Sequence, residues 1–128
     1  MAAAAVIAVA FANPGRAADT VTESDMVGTW CVESGAQQEI TCDKFTGDHS
    51  IIRILYHLDL SQKYVAKYQG RWKLEGNVLH MFWPMGRENA EYIRTLSWAP
   101  DKSLLFHEQS GAISKRCRGD SGPVHCGV

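Results

Sequence analysis

The sequence predicts an all-β chain, an antiparallel up-and-down meander of eight strands that closes into a barrel. Three observations carry this. First, Lys63–Leu74 places Tyr64, Ala66, Tyr68, Gly70, Trp72 and Leu74 on one face and Val65, Lys67, Gln69, Arg71 and Lys73 on the other, the period of two of a half-buried strand. Second, turn signals recur at short intervals: Thr46-Gly47-Asp48, Glu75-Gly76-Asn77, Ala99-Pro100-Asp101-Lys102 and Ser110-Gly111. Connections this short join antiparallel neighbours. Third, no segment after residue 28 keeps a helical period. Closure of such a meander removes its exposed edges.

In chain order, the polar segment Thr22–Val27 is expected to hold a helical turn, and Gly28–Ser34 is the first strand. Glu39–Phe45 is the second, His49–Asp59 a β-branched third, and Lys63–Leu74 the fourth, with Gly70 marking a bend or bulge. Val78–Trp83 is the fifth, ended by Pro84; Glu91–Trp98, Ser103–Gln109 and Ala112–Arg118 complete the eight. The Gly-rich tail, Gly119–Val128, reads as irregular.

Composition bounds the rest. A chain of 128 residues with 45% hydrophobic and 21% charged residues is one globular domain, since either half alone would be too small to bury a stable core. A net charge of −1 offers no basic field to neutralise a phosphate backbone, which argues against nucleic-acid binding. No apolar run reaches the roughly 18 residues of a membrane span. Residues 2–12 (AAAAVIAVAFA) have the length of a signal-peptide core and precede Asn13-Pro14-Gly15. Residues 1–18 are therefore read as a signal peptide and 19–128 as the mature domain, exported to the periplasm or the extracellular space. Cys31, Cys42, Cys117 and Cys126 form an even set with no C-x-x-C or H-x-x-x-H pair, so two disulfides are expected rather than zinc.

The first strand opens Gly28-Thr29-Trp30, a strand meander follows, and Arg116 and Arg118 lie on the last strand. In this the chain resembles the lipocalins and their calycin relatives, over roughly residues 26–118. The resemblance implies a barrel whose closed base holds Trp30, with an arginine of the last strand packed over it; Arg116 is the first candidate and Arg118 the second. A guanidinium over an indole face suits such a plug. If Trp30 and Arg116 point inward, Cys31 and Cys117 point outward. Across the seam of a closed barrel they could pair, leaving Cys42–Cys126 to pin the tail. The alternative is Cys31–Cys42 across the first hairpin with Cys117–Cys126 closing the tail loop.

Catalysis is not expected. Cys117-Arg118-Gly119-Asp120-Ser121-Gly122-Pro123 looks like the nucleophile loop of trypsin-like proteases. It lacks one glycine of that pattern, no upstream segment supplies a base, and the chain is too short for two barrels, so a Gly-rich turn is the better reading. The five histidines stand singly along the chain, with no metal or cofactor implied. Arg94 shares its parity with Tyr92, Leu96 and Trp98. An inward arginine must meet an acid, for which Glu108 is the candidate, or an anionic ligand. The function expected is non-catalytic binding of a small apolar or aromatic molecule, with Tyr64, Tyr68, Trp72, Tyr92 and Arg94 as pocket residues. The alternative is a protein-binding module with a filled barrel, acting through Ser34–Gln38, Met85–Ala90 and the tail.

Overall fold

The computed structural model describes residues 20–34, 36–59, 66–85 and 88–126. The expected signal segment and Tyr64 lie outside the described residues. One helical turn, α1 (Glu23–Met26), precedes eight strands: β1 (Gly28–Ser34), β2 (Glu39–Phe45), β3 (Ser50–His57), β4 (Ala66–Glu75), β5 (Val78–Met85), β6 (Glu88–Trp98), β7 (Leu104–His107) and β8 (Ile113–Arg118). Each pairs antiparallel with the next, and β8 returns to β1, so the barrel is closed. Among the described residues no helix is long and apolar enough to cross a membrane.

Strand five does not stop at Pro84. It runs on to Met85 in register with β6. Its pairing with β4 stops at Arg71↔Phe82, so at Pro84 no neighbour on that side requires the N–H that proline lacks.

Side chains of one parity fill the base of the barrel. Trp30, Phe45, Ile51, Trp72, Leu79, Met81, Leu96, Leu104 and Phe106 are all buried there, with Val21 and Met26 closing the end beneath them. A capping box starts the turn that carries Met26: Thr22 Oγ1 accepts from the Asp25 amide at 3.2 Å, and Asp25 Oδ2 accepts from the Thr22 amide at 2.8 Å. Trp30 Nε1 donates to the Met26 carbonyl at 3.1 Å.

Arg118, not Arg116, packs over Trp30. Its guanidinium carbon lies 4.2 Å from the ring centroid, and Nη1 and Nη2 donate to the carbonyls of Val27 (2.9 Å) and Asp25 (2.7 Å). The two arginines share a parity, so both point inward. Only Arg118, in direct register with Trp30, is low enough to reach the unpaired carbonyls that end α1. Gly28 follows from this arrangement. Its φ is +127°, and a Cβ there would lie 2.1 Å from Arg118 Nη1. Asp120 completes the base by accepting from the Thr29 amide at 2.7 Å. Arg118 and Asp120 of the protease-like segment are thus parts of the base plug.

The disulfides are Cys31–Cys42 and Cys117–Cys126, the alternative pairing and not the seam staple. The parity argument does place Cys31 opposite Cys117, but Cys31 is also opposite Cys42, with a Cα–Cα distance of 4.1 Å. Of two geometrically available partners, the one across a short hairpin closes the smaller loop. The tail turns at Gly119–Gly122 and runs back along β1, where the Cys126 carbonyl accepts from the Glu33 amide at 2.8 Å. It covers a second buried cluster on the barrel's outer face, Cys31, Ile40 and Cys42 with Tyr56, Leu58 and Val124.

Unreduced tryptic digestion checks the pairing. The peptide ending at Lys44 is expected to carry an internal bridge, and Cys117-Arg118 to be joined to residues 119–128; a species linking these two groups would contradict the fold. Gly28→Ala is expected to lower stability in urea unfolding by about 2–4 kcal/mol, through clash and positive φ. Gly47→Ala, where a Cβ meets nothing within 4 Å, should stay within about 0.5 kcal/mol.

Candidate functional site

Above the filled base, the strand ends Ser34, His57, Met85 and His107 gather at the opposite end, the mouth. A cavity of 680 Å³ lies beneath it, lined by Gln37, Glu39, Thr41, Arg53, Leu55, Lys67, Tyr68, Gln69, Trp83, Pro84 and Tyr92. Lys67 and Gln69 have the outward parity of β4. They reach the cavity where β4 and β5 part above Arg71↔Phe82.

The floor of the cavity is ionic. In-register pairing puts Trp30, Asp43, Arg53 and Tyr68 on one inward-facing row across β1 to β4. Asp43 is fully buried. Arg53 grips it side-on, with Nε to Oδ1 at 2.8 Å and Nη2 to Oδ2 at 2.9 Å, the bidentate geometry that only arginine provides. Arg116 reaches the same carboxylate from β8, Nη1 to Oδ2 at 3.3 Å, and its guanidinium lies 4.5 Å over Phe106. Burial works against the charge of Arg53, but the Asp43 hydrogen bonds and charge, with Tyr92, outweigh it and leave its pKa above the ordinary value. For Arg116 burial wins. Its pKa is held below the ordinary value, with Arg53 and Arg94 adding repulsion and Asp43 offsetting only part of it.

Trp83 forms the wall beside this group. Its ring lies 4.7 Å from the Arg53 guanidinium carbon. The ring also covers Gly70, where an added Cβ would fall 2.7 Å from it and 2.4 Å from the Phe82 carbonyl. That close approach is the reason for a glycine inside β4. Trp83 Nε1 is buried and has no hydrogen-bond partner among the described residues.

The sequence-predicted pocket residues divide. Tyr68 and Tyr92 line the cavity, 52% and 36% exposed at its rim. Trp72 does not. It sits in the base, donating to the Thr46 carbonyl at 3.1 Å and packed edge-on against Phe45 at 5.5 Å. Parity placed it inward correctly, but it lies four residues beyond Tyr68 along β4, toward the base. Arg94 borders a separate, shallower recess with Glu91, Glu108 and Ser110. Its Nη2 lies 3.9 Å from Glu108, and its Nη1 donates to the Ile93 carbonyl at 2.9 Å, so the expected acid is at hand.

Sequence reasoning missed Asp43, Arg53 and Trp83. Trp83 had a signal, since it stands among the aromatic residues of β5. Asp43 and Arg53 had little, because β2 and β3 carry apolar residues on both faces.

Among the described residues no group of three His, Cys, Asp or Glu side chains is placed to hold a metal ion. Four of the five histidines have separate side-chain partners: His80 lies between Glu75 and Glu91, His49 pairs with Glu23, His125 with Glu33, and His107 Nε2 with Ser97 Oγ at 2.7 Å. No protein-family model, curated protein or solved structure matches the chain.

Removing the shared anion should be costly. Asp43→Asn is expected to lower stability by about 3–5 kcal/mol, as it leaves two guanidiniums facing each other inside the barrel. Equilibrium denaturation measures this, and a loss below about 1 kcal/mol would contradict the role given to Asp43.

Proposed function

We infer that the chain is an exported, non-catalytic binding protein that holds a small, partly apolar molecule inside its barrel. The observation that carries this reading is the cavity beneath the mouth. Its 680 Å³ falls within the range of about 300–1,000 Å³ typical of small-molecule sites. Its walls combine Leu55, Tyr68, Trp83, Pro84 and Tyr92 with six polar or charged residues, and small-molecule sites pair apolar and aromatic walls with placed polar groups. The two disulfides are in keeping with an oxidising, exported location. A reduced lipocalin-like architecture, with Trp30 and Arg118 as the base, is the family reading this supports.

The test is titration with the neutral, apolar fluorophore N-phenyl-1-naphthylamine, exciting tryptophan and reading probe emission. Saturable one-to-one energy transfer is expected, with Trp83 a donor in the cavity wall. Leu55→Arg, which puts a long charged chain into the cavity, should abolish it while the far-ultraviolet spectrum is retained. Failure of the native protein to bind this probe and small aromatic probes in general, charged or neutral, would favour the loop-acting, protein-binding alternative.

A further inference from the structure

We propose that the ligand carries a carboxylate, and that this anionic group docks on the Arg53 guanidinium and the Trp83 indole N–H at the cavity floor. The proposal rests on the binding reading above and specifies the chemistry of the same site.

The argument begins with charge. Arg53 and Arg116 share the buried carboxylate of Asp43, so two cations face one anion inside the barrel. Arg94 adds no anion to the group, and its own acid, Glu108, sits beside it in the separate recess. Buried charges are normally matched within the protein or by what the protein binds. The other charged groups lining the cavity are Glu39 and Lys67. Glu39 lies four residues up β2 from Asp43, about 13 Å along the strand. Lys67 stands at the gap between β4 and β5. Neither neutralises the floor.

The geometry then selects the anion. Asp43 takes Nε and Nη2, the side edge of the Arg53 fork. A planar guanidinium has a second edge, Nη1 with the remaining Nη2 hydrogen, directed away from the first. Two parallel N–H groups suit the two oxygens of a carboxylate. Of the two arginines, Arg53 is the one that lines the cavity; its side chain is 23% exposed, against 11% for Arg116. Trp83, stacked on it, brings the buried Nε1–H that no described residue satisfies. An unpaired buried donor costs free energy that an acceptor on a ligand would recover. The aromatic and apolar walls above would take the ligand's body. The structure therefore favours an aryl or alkyl carboxylic acid over a neutral apolar molecule of equal size.

The test compares 2-naphthoate with its neutral counterpart 2-naphthamide, by isothermal titration calorimetry on the full, oxidised protein. Naphthoate is expected to bind about tenfold or more tightly, the worth of a charge-assisted hydrogen bond. Arg53→Gln should remove that preference while naphthamide binding persists. Because Arg53→Gln also weakens the Asp43 group, Trp83→Phe is the second variant; it keeps the ion pair and should narrow the gap several-fold. Equal affinities for the two probes in the native protein would overturn the proposal and leave the cavity reading standing. A gap untouched by both substitutions would also overturn it. If neither probe binds, the cavity reading itself falls and takes this inference with it.

Discussion

One carboxylate held between two guanidiniums sets where this barrel stops being packed and starts being open. Asp43 receives Arg53 from the adjacent strand and Arg116 from β8, two strands away in the other direction. The group thus ties together walls that no backbone ladder joins. Below it the interior is apolar and filled; above it the row of Thr41 and Leu55 leaves space. A buried ion pair of this kind seldom adds much net stability over a well-packed apolar replacement. Its stronger effect is on register. A slip of one residue between β2 and β3 would turn Asp43 outward and leave Arg53 charged and unpaired inside, so every pairing but the observed one is penalised.

The same constraint explains what the sequence could and could not show. β4, β6 and β7 alternate because one face meets the core and the other turns toward water, and there Trp72, Leu96, Leu104 and Phe106 are buried as parity implies, with Arg94 3.9 Å from Glu108. β2 and β3 do not alternate. The returning tail covers the outer face of β2, so Ile40 and Cys42 are buried on the outside while Asp43 and Phe45 are buried on the inside. A strand apolar on both faces has no readable orientation, and Asp43 and Arg53 were lost in it. Parity also carries no height. Arg116 and Arg118 point the same way, as do Trp72 and Trp83, yet one of each pair serves the base and the other the floor or wall of the cavity. Height depends on the register of neighbouring strands around a sheared barrel, which is a property of the assembled sheet and of no single segment. Pairing of the cysteines failed for a related reason: Cys31 has two partners in register, and parity cannot rank them.

The cross-links and most of the cavity wall belong to different strands, with β2 alone common to both. Both disulfides, the tail and the Arg118–Trp30 plug gather at β8, β1 and β2. The cavity is lined by β2 through β6 together with Gln37 of the first connection. The seam, where a closed sheet has to join its first and last strands, is thereby fixed covalently and by the base plug. On the far wall, β4 and β5 part above Arg71↔Phe82, and Pro84 offers no amide to close the gap. Spreading those two strands near the mouth would break no disulfide and would leave the Asp43 group and the base core in place. A small domain can keep a cavity above the Asp43 group when the cross-links at the seam and the filled base supply stability away from the site.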